Sequence, residues 1–360
     1  MAPLKRKPEF YLDGAHAWEA MLTACEQARH SIDLEQYIFM VDTIGRRFID
    51  VLMRKRIEGV RVRIICDTVG SFSFYNSTVP AMLRDAGIEI RFFNIVSPWR
   101  IRDIFSWYFR DHRKILVVDE AVGFTGGVGI HDAMRTWRDT SVRVTGPTAR
   151  EMQDAFEEMW DLAAEKNIFS RLKKFKRYHR GERLVTNAPY PRRRFLYHTF
   201  IQALRSARQY AFLTTPYFVP NQRFVKELRR AVARGVDVKI LVPETYDVIL
   251  VNRASHSFFH EILEAGAHIY TYSGAFLHAK TAVIDDTWAT IGSFNFDNLS
   301  FTYNHEANIV SMDQAFIKPL KSHFLADIAH SKEILLETWK KRPLIWKLHE
   351  FFVLPIRRFL

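Results

Sequence analysis

Along the first quarter of the chain, apolar residues alternate between two spacings. Residues 15–30, AHAWEAMLTACEQARH, place them three and four apart, which predicts an amphipathic helix. They lead into SIDLEQYIFM, Ser31 to Met40, where the spacing shortens to that of a strand. The alternation continues with a helix from about Gly45 to Glu58, a strand VRVRIICD over Val60 to Asp67, a helix near Val79 to Ala86 and a strand IEIRFF over Ile88 to Phe93. Further strands are predicted at AVGFTGG and TSVRVTG, and a helix from about Pro147 to Lys166.

The second half replays this order. HTFIQALRSARQYAFLTTPYF follows the pattern of the first helix and strand, ARGVDVKILVPE echoes IEGVRVRIICD, and LEAGAHIYTY echoes LRDAGIEIRFF. Tyr37 and Tyr217 lie 180 residues apart, Gly59 and Gly235 lie 176 apart, and Gly87 and Gly266 lie 179 apart. So constant an offset indicates duplication of a whole domain, too long for a solenoid repeat. Helices alternating with apolar strands predict α/β layers. The expected fold is two pseudo-symmetric α/β/α sandwich halves, each a mostly parallel or mixed sheet flanked by helices. The first half should span 1–169, a basic linker 170–194, the second half 195–342 and an amphipathic C-terminal tail 343–360.

Charge adds a partner. The net charge of +12 implies an anionic one: nucleic acid, anionic lipid or a phosphorylated substrate. A hydrophobic content of 48% is that of a folded globular protein, and two cysteines exclude a disulfide framework. The N-terminal MAPLKRKPEFYLDG has no apolar segment behind its basic residues, and no uncharged run reaches the ~18 residues a bilayer span needs. The expected location is therefore the cytoplasm or the cytoplasmic side of the membrane, as a peripheral protein.

Three segments could meet an anionic surface. NIVSPWRIRDIFSWYFRD, which contains the Trp99–Tyr108 region, mixes aromatics with arginines and suits either a lipid interface or a buried connection. The basic run between the halves, with RLKKFKRYHRGER and PYPRRR, suits a phosphate patch or a solvated linker. The tail LIWKLHEFFVLPIRRFL is too charged to span a membrane, and suits a helix lying in the interface or one docked on the core.

The chemistry sits in one pattern that occurs twice. His112, Lys114 and Asp119 are spaced as His278, Lys280 and Asp285 are. A His and a Lys two apart on a strand point to one face, so each copy aims an imidazole and an ammonium into the same space. A Gly pair or Gly-Ser follows seven residues beyond each Asp. Between the copies the offset falls to 166, so the first half holds 13 more residues between Phe93 and His112 than the 179-residue offset would give. No cluster has metal-ligand spacing, and neither metal nor cofactor is expected.

The doubled His-x-Lys-x4-Asp pattern, with Gly292-Ser293-x-Asn295 after the second copy, resembles the phospholipase D superfamily over about residues 14–340. TTPYFVP at Thr214 to Pro220, Trp137-Arg138-Asp139 running into a strand, and FTGG after the first copy make it most similar to bacterial cardiolipin synthases without transmembrane helices. The resemblance implies two histidines facing each other across the pseudo-twofold, one forming a phosphatidyl-histidine and the other acting as acid and base. His112 is expected as nucleophile and His278 as acid/base. Lys114 and Lys280 would hold the phosphoryl oxygens, with Ser293 and Asn295 donating hydrogen bonds beside them. Glu306 and Asp139, 28 and 27 residues after their histidines, are the expected carboxylates that fix the imidazole tautomers; spacing does not say which serves which. Asp119 and Asp285 complete the motif and are expected to brace strand and turn. One position departs from the family: Gly129 stands where Asn is usual.

The implied activity is phosphatidyl transfer from phosphatidylglycerol to a lipid alcohol, giving cardiolipin. Hydrolysis by a phospholipase D, or cleavage of nucleic acid by a related nuclease, are the alternatives; the aromatic segment and the tail favour lipid.

Overall fold

The computed structural model describes residues 7–95, 108–165 and 183–343, with Trp346, Val353 and Arg357 beyond them. Seven strands form the first sheet: β1 (Glu9–Asp13), β2 (Ser31–Gln36), β3 (Arg61–Asp67), β4 (Glu89–Phe93), β5 (Lys114–Val118), β6 (Val122–Gly126) and β7 (Arg138–Thr145). The second half contributes β8 (Leu184–Asn187), β9 (Tyr210–Thr214), β10 (Phe218–Val219), β11 (Asp237–Pro243), β12 (His268–Tyr272), β13 (Thr281–Ile284), β14 (Trp288–Gly292), β15 (Phe296–Asp297), β16 (Glu306–Ser311) and β17 (Ser331–Ile334).

The first sheet runs β1-β7-β6-β5-β2-β3-β4, and the second runs β8-β16-β14-β13-β9-β11-β12-β17, read from the corresponding edge. Strand for strand the orders match, with β17 added at one edge and β10–β15 forming a separate parallel pair. In each sheet three strands are parallel (β2, β3, β4 and β9, β11, β12) and the rest antiparallel. Each sheet is therefore mixed. The parallel strands are joined through helices such as Thr43–Ile57 and Gln222–Ala233, each begun by a side-chain cap, Asp42 to the Gly45 N–H at 3.0 Å and Asn221 to the Phe224 N–H at 3.0 Å.

β8 corrects the expected linker of 170–194. Residues 184–187 form the second sheet's counterpart of β1, antiparallel to β16 with Asn187 opposite Glu306. β17 was also outside the expected elements; its SKEI sequence has no apolar alternation, and it is held by antiparallel pairing with β12. The predicted strand to Met40 ends at Gln36, and the chain turns off the sheet at Tyr37.

Most of the basic run and most of the Trp99–Tyr108 segment lie outside the described residues. Of the tail, Val353 is buried in the second half's core, Trp346 stacks near His256 and the Arg357 guanidinium lies over the Phe258 ring. Those described points of the tail dock on helix Ile249–Glu264.

Facing sides of the two sheets share one core. Ile115, Val117, Val142 and Val144 of the first half are buried in one cluster with Leu241, Val283, Ala289 and Ile309 of the second. Helices Pro147–Ala164 and Gln314–Ala329 contribute Met152, Ala155, Phe316 and Phe324 to it. This contact fixes how the halves face each other, and so where their strand ends converge.

Candidate active site

Each His-x-Lys segment begins just before a central strand. Lys114 opens β5, and Lys280 precedes β13 directly; both strands are hairpins with their successors. Two isolated bridges bring the halves together beside them. Asp111 pairs with His305, with His112 N donating to His305 O at 3.0 Å and His305 N to Arg110 O at 2.8 Å. Leu277 pairs with Arg138 in the same way, His278 N donating to Arg138 O at 2.8 Å. The residue before each histidine is thus tied to the residue before the other half's carboxylate.

The consequence is crossed pairing. His112 Nδ1 lies 3.0 Å from both carboxylate oxygens of Glu306, and His278 Nδ1 lies 2.7 Å from Asp139 Oδ2. A carboxylate at Nδ1 fixes the N–H there and leaves the Nε2 lone pair available. Glu306 is itself held by the hydroxyls of Ser293 at 2.5 Å and Ser300 at 2.7 Å. Burial pushes Glu306 up, but His112, Lys114 and these hydrogen bonds outweigh it and hold the carboxyl below its usual range. Asp139 reaches His278 because residue 127 is glycine: a Cβ there would sit 2.1 Å from Asp139 Oδ1.

Lys114 Nζ donates to His112 O at 2.8 Å, and Lys280 Nζ to His278 O at 2.5 Å. Both ammoniums are buried, and burial lowers Lys114 to about 8 and Lys280 to about 7. Burial also lowers both imidazoles, with their neighbouring lysines adding to the effect, His278 to about 3. Each lysine's charge acts on the histidine of the other half too, so the four groups occupy one electrostatic site. The buried site sets two lysines and two histidines, backed by the Glu306 and Asp139 carboxylates, around one space. Two ammoniums in one space can hold the non-bridging oxygens of a phosphoryl group.

Asp119 and Asp285 stand elsewhere. Each follows its strand, at the end opposite the histidine and seven residues from it, up to about 23 Å away at the rise of a strand. Both adopt φ near +50°, as do Glu120 and Asp286 beside them, the left-handed pair at the turn of each hairpin. Asp119 accepts the backbone N–H groups of Arg29, His30 and Ser31 at 2.7–2.9 Å, and Asp285 those of Arg208, Gln209 and Tyr210 at 2.5–2.9 Å. These motif residues thus hold strand and turn, away from the histidine pocket.

Ser293, expected as a substrate donor, spends its hydroxyl on Glu306. Asn295 is buried, and its Oδ1 has no hydrogen-bond partner among the described residues. Gly129, at the equivalent place in the first half, is packed in: a Cβ would lie 3.1 Å from Ile38 Cβ and 3.3 Å from Met134 Sδ, and its carbonyl accepts Trp18 Nε1.

Aromatic walls escaped the sequence expectations. The Tyr37 ring meets His112 edge-on at 4.8 Å, and Trp137 packs on His278 at 5.1 Å. Tyr217, the repeat partner of Tyr37, bonds Asp247 at 2.8 Å. The 180-residue offset of the two tyrosines was the available signal.

Residues 21–160 and 200–328 match the family described as "Cardiolipin synthase, PLD-like domain". Cardiolipin synthase 1 of Bacillus cereus is 34% identical, the match covering 95% of this chain and 70% of that protein. Cardiolipin synthase A of Pseudomonas putida is also 34% identical, over 91% of this chain and 69% of that protein. The chain belongs to the phospholipase D-like cardiolipin synthase family. It is accordingly a phosphatidyltransferase of the phospholipase D superfamily. The fold agrees: the crystal structure of phosphatidylserine synthase from Haemophilus influenzae superposes with a TM-score of 0.79 at 14% identity, covering all of this chain and 97% of the other. The chain spans about 70% of the length of the first of these relatives and 69% of the second. Among the described residues, no helix is long and apolar enough to cross a membrane.

Proposed function

We propose that the enzyme makes cardiolipin from phosphatidylglycerol through a phosphatidyl-histidine. The observation that carries this is the crossed pair of carboxylate-held histidines sharing one buried pocket with two lysines. His112 is the nucleophile in this scheme, because Glu306 and its two serine hydroxyls hold its ring in the more extended hydrogen-bond network. His112 Nε2 attacks phosphorus, the bond to the glycerol oxygen breaks, and protonated His278 gives that oxygen its proton. Glycerol leaves. Neutral His278 then takes the proton of the incoming lipid hydroxyl as its oxygen attacks phosphorus and the bond to His112 breaks.

Lys114 and Lys280 bind the non-bridging oxygens, with the Asn295 amide beside them. The anionic substrate also raises the His278 pKa from its unliganded value, so that the acid form is available once the phosphodiester is bound. The second substrate in this reading is phosphatidylglycerol itself, and the enzyme works as a peripheral protein on the cytoplasmic side of the membrane. The charge of +12 supports an anionic surface.

The test is incubation of purified protein with labelled phosphatidylglycerol in mixed micelles. Cardiolipin with release of glycerol is the expected product pair. Phosphatidic acid would indicate hydrolysis, and DNA cleavage without lipid turnover would sink the proposal. His112→Ala and His278→Ala should each abolish turnover; full activity in either would overturn the two-histidine scheme.

A further inference from the structure

Among the described residues, two groups of exposed apolar side chains lie in the segments that follow β3 and β11, where the parallel strands end on the side of the pocket. After β3 these are Val69 and Phe72, the latter 66% exposed. After β11 they are Val248, Ile249 and Leu250, with Ile249 75% exposed. Phe72 and Val248 are 176 residues apart, the offset that separates Gly59 from Gly235 in the strand-forming repeat. The duplication has therefore placed an apolar ridge at the same point of both halves, although the residues themselves differ.

Both ridges are tied to the catalytic pocket. Asp67 accepts the backbone N–H of Val69 at 2.8 Å and that of Asp111, next to His112, at 3.0 Å. Gly70 packs so closely on Tyr37 that a Cβ would meet its ring at 2.8 Å, and Tyr37 lies against His112. The Thr68 hydroxyl donates to Asn94 O, and Asn94 Nδ2 donates to Phe109 O, which ties the neighbours of exposed Val69, Ile95 and Tyr108 together. On the other side Asp247, immediately before Val248, bonds the Tyr217 phenol. One turn beyond Ile249, Arg253 lies over the Trp346 ring, adding a cation and an aromatic to that ridge.

We infer that these two ridges dock the mouth of the active site onto an anionic lipid bilayer, Val69 and Phe72 on one side and Val248, Ile249 and Leu250 on the other. This rests on the proposed function, which needs a substrate drawn from a membrane. Apolar side chains on two sides of one mouth suit a lipid interface, which can take up both at once. Side chains of this type insert at the boundary of headgroup and acyl chain, while basic residues meet the anionic headgroups. The net charge of +12 suits that surface. A phosphatidyl headgroup entering between the ridges would reach the histidines with its acyl chains still in lipid.

The experiment is sedimentation with vesicles of equimolar phosphatidylethanolamine and phosphatidylglycerol. Two variants are compared with the parent: Val69→Ser with Phe72→Ser, and Val248→Ser with Ile249→Ser and Leu250→Ser. Each should weaken vesicle binding by at least about tenfold, while turnover of monomeric short-chain phosphatidylglycerol stays unchanged. A second readout is an environment-sensitive dye on Ile249→Cys, selective because Cys25 and Cys66 are buried. Its emission should shift to the blue when vesicles are added. Parent-like vesicle binding by both variants, or a dye that does not respond, would overturn the docking surface. The function reading fails separately, if the parent binds vesicles through the ridges yet forms no cardiolipin.

Discussion

Two lysines and two histidines are buried in one pocket, and burial first of all sets their protonation. Lys280, lowered to about 7 by burial, and Lys114, lowered to about 8, lose their charge as pH rises through that range in the free enzyme. The anion site weakens with them. The expected outcome is a kcat/KM that falls between about pH 7 and 8, with the fall in kcat displaced upward, because a bound phosphodiester restores lysine charge. A pH–rate profile on soluble substrate checks this; a kcat/KM flat to well above pH 8 would refute the lysine assignment. The acid side has the opposite sign. Burial depresses His278 to about 3, so the unfolded chain takes up a proton at this residue near its ordinary value while the folded chain does not. Its contribution to stability is complete above that ordinary value and is lost as pH falls toward 3.

Hairpins decide where those side chains are carried. β5–β6 and β13–β14 each turn through two left-handed residues, and Asp tolerates that conformation while accepting local backbone donors. Asp285→Ala removes the acceptor for three N–H groups and leaves a side chain that dislikes positive φ. It should cost about 1–3 kcal/mol, measured by denaturant unfolding, with KM unchanged in the protein that remains folded. A large rise in KM at unaltered stability would return Asp285 to the site. Much at this scale was legible in sequence. The alternation of periods and the constant offset gave the mixed α/β halves, since each strand and helix buries its own apolar face. β8 escaped because its four residues follow a run of arginines and lysines, and their pairing with β16 is set by a strand more than a hundred residues later. β17 escaped because its stability comes from an edge and its sequence is polar.

At the scale of the molecule, the two halves meet through an apolar core that includes Ile115 and Val142 on one side and Leu241 and Ile309 on the other. Such an interface should hold without a covalent link. A protease site inserted between residues 166 and 182, cut after folding, should leave two fragments that co-elute and retain turnover. Separation of the fragments on gel filtration would show that the core is insufficient. This interface also explains what sequence could not supply for the site. His112, Lys114, His278 and Lys280 were visible as a doubled motif, and Glu306 and Asp139 as carboxylates at matching distances. Which carboxylate serves which histidine depends on how the halves face each other, through Asp111 beside His305 and Leu277 beside Arg138. No spacing along the chain encodes that. Ser293 differs for a similar reason: its motif position suggests a ligand donor, and the fold turns its hydroxyl onto Glu306.

The crossed pairing changes how damage to this enzyme is to be located. A lesion at Asp139 belongs to the first repeat by sequence, but the imidazole it sets adrift is His278 in the second. A lesion at Glu306 likewise surfaces at His112. Each repeat is thus the custodian of a reactive group it does not own. A change at either carboxylate is therefore read out at the histidine of the opposite half.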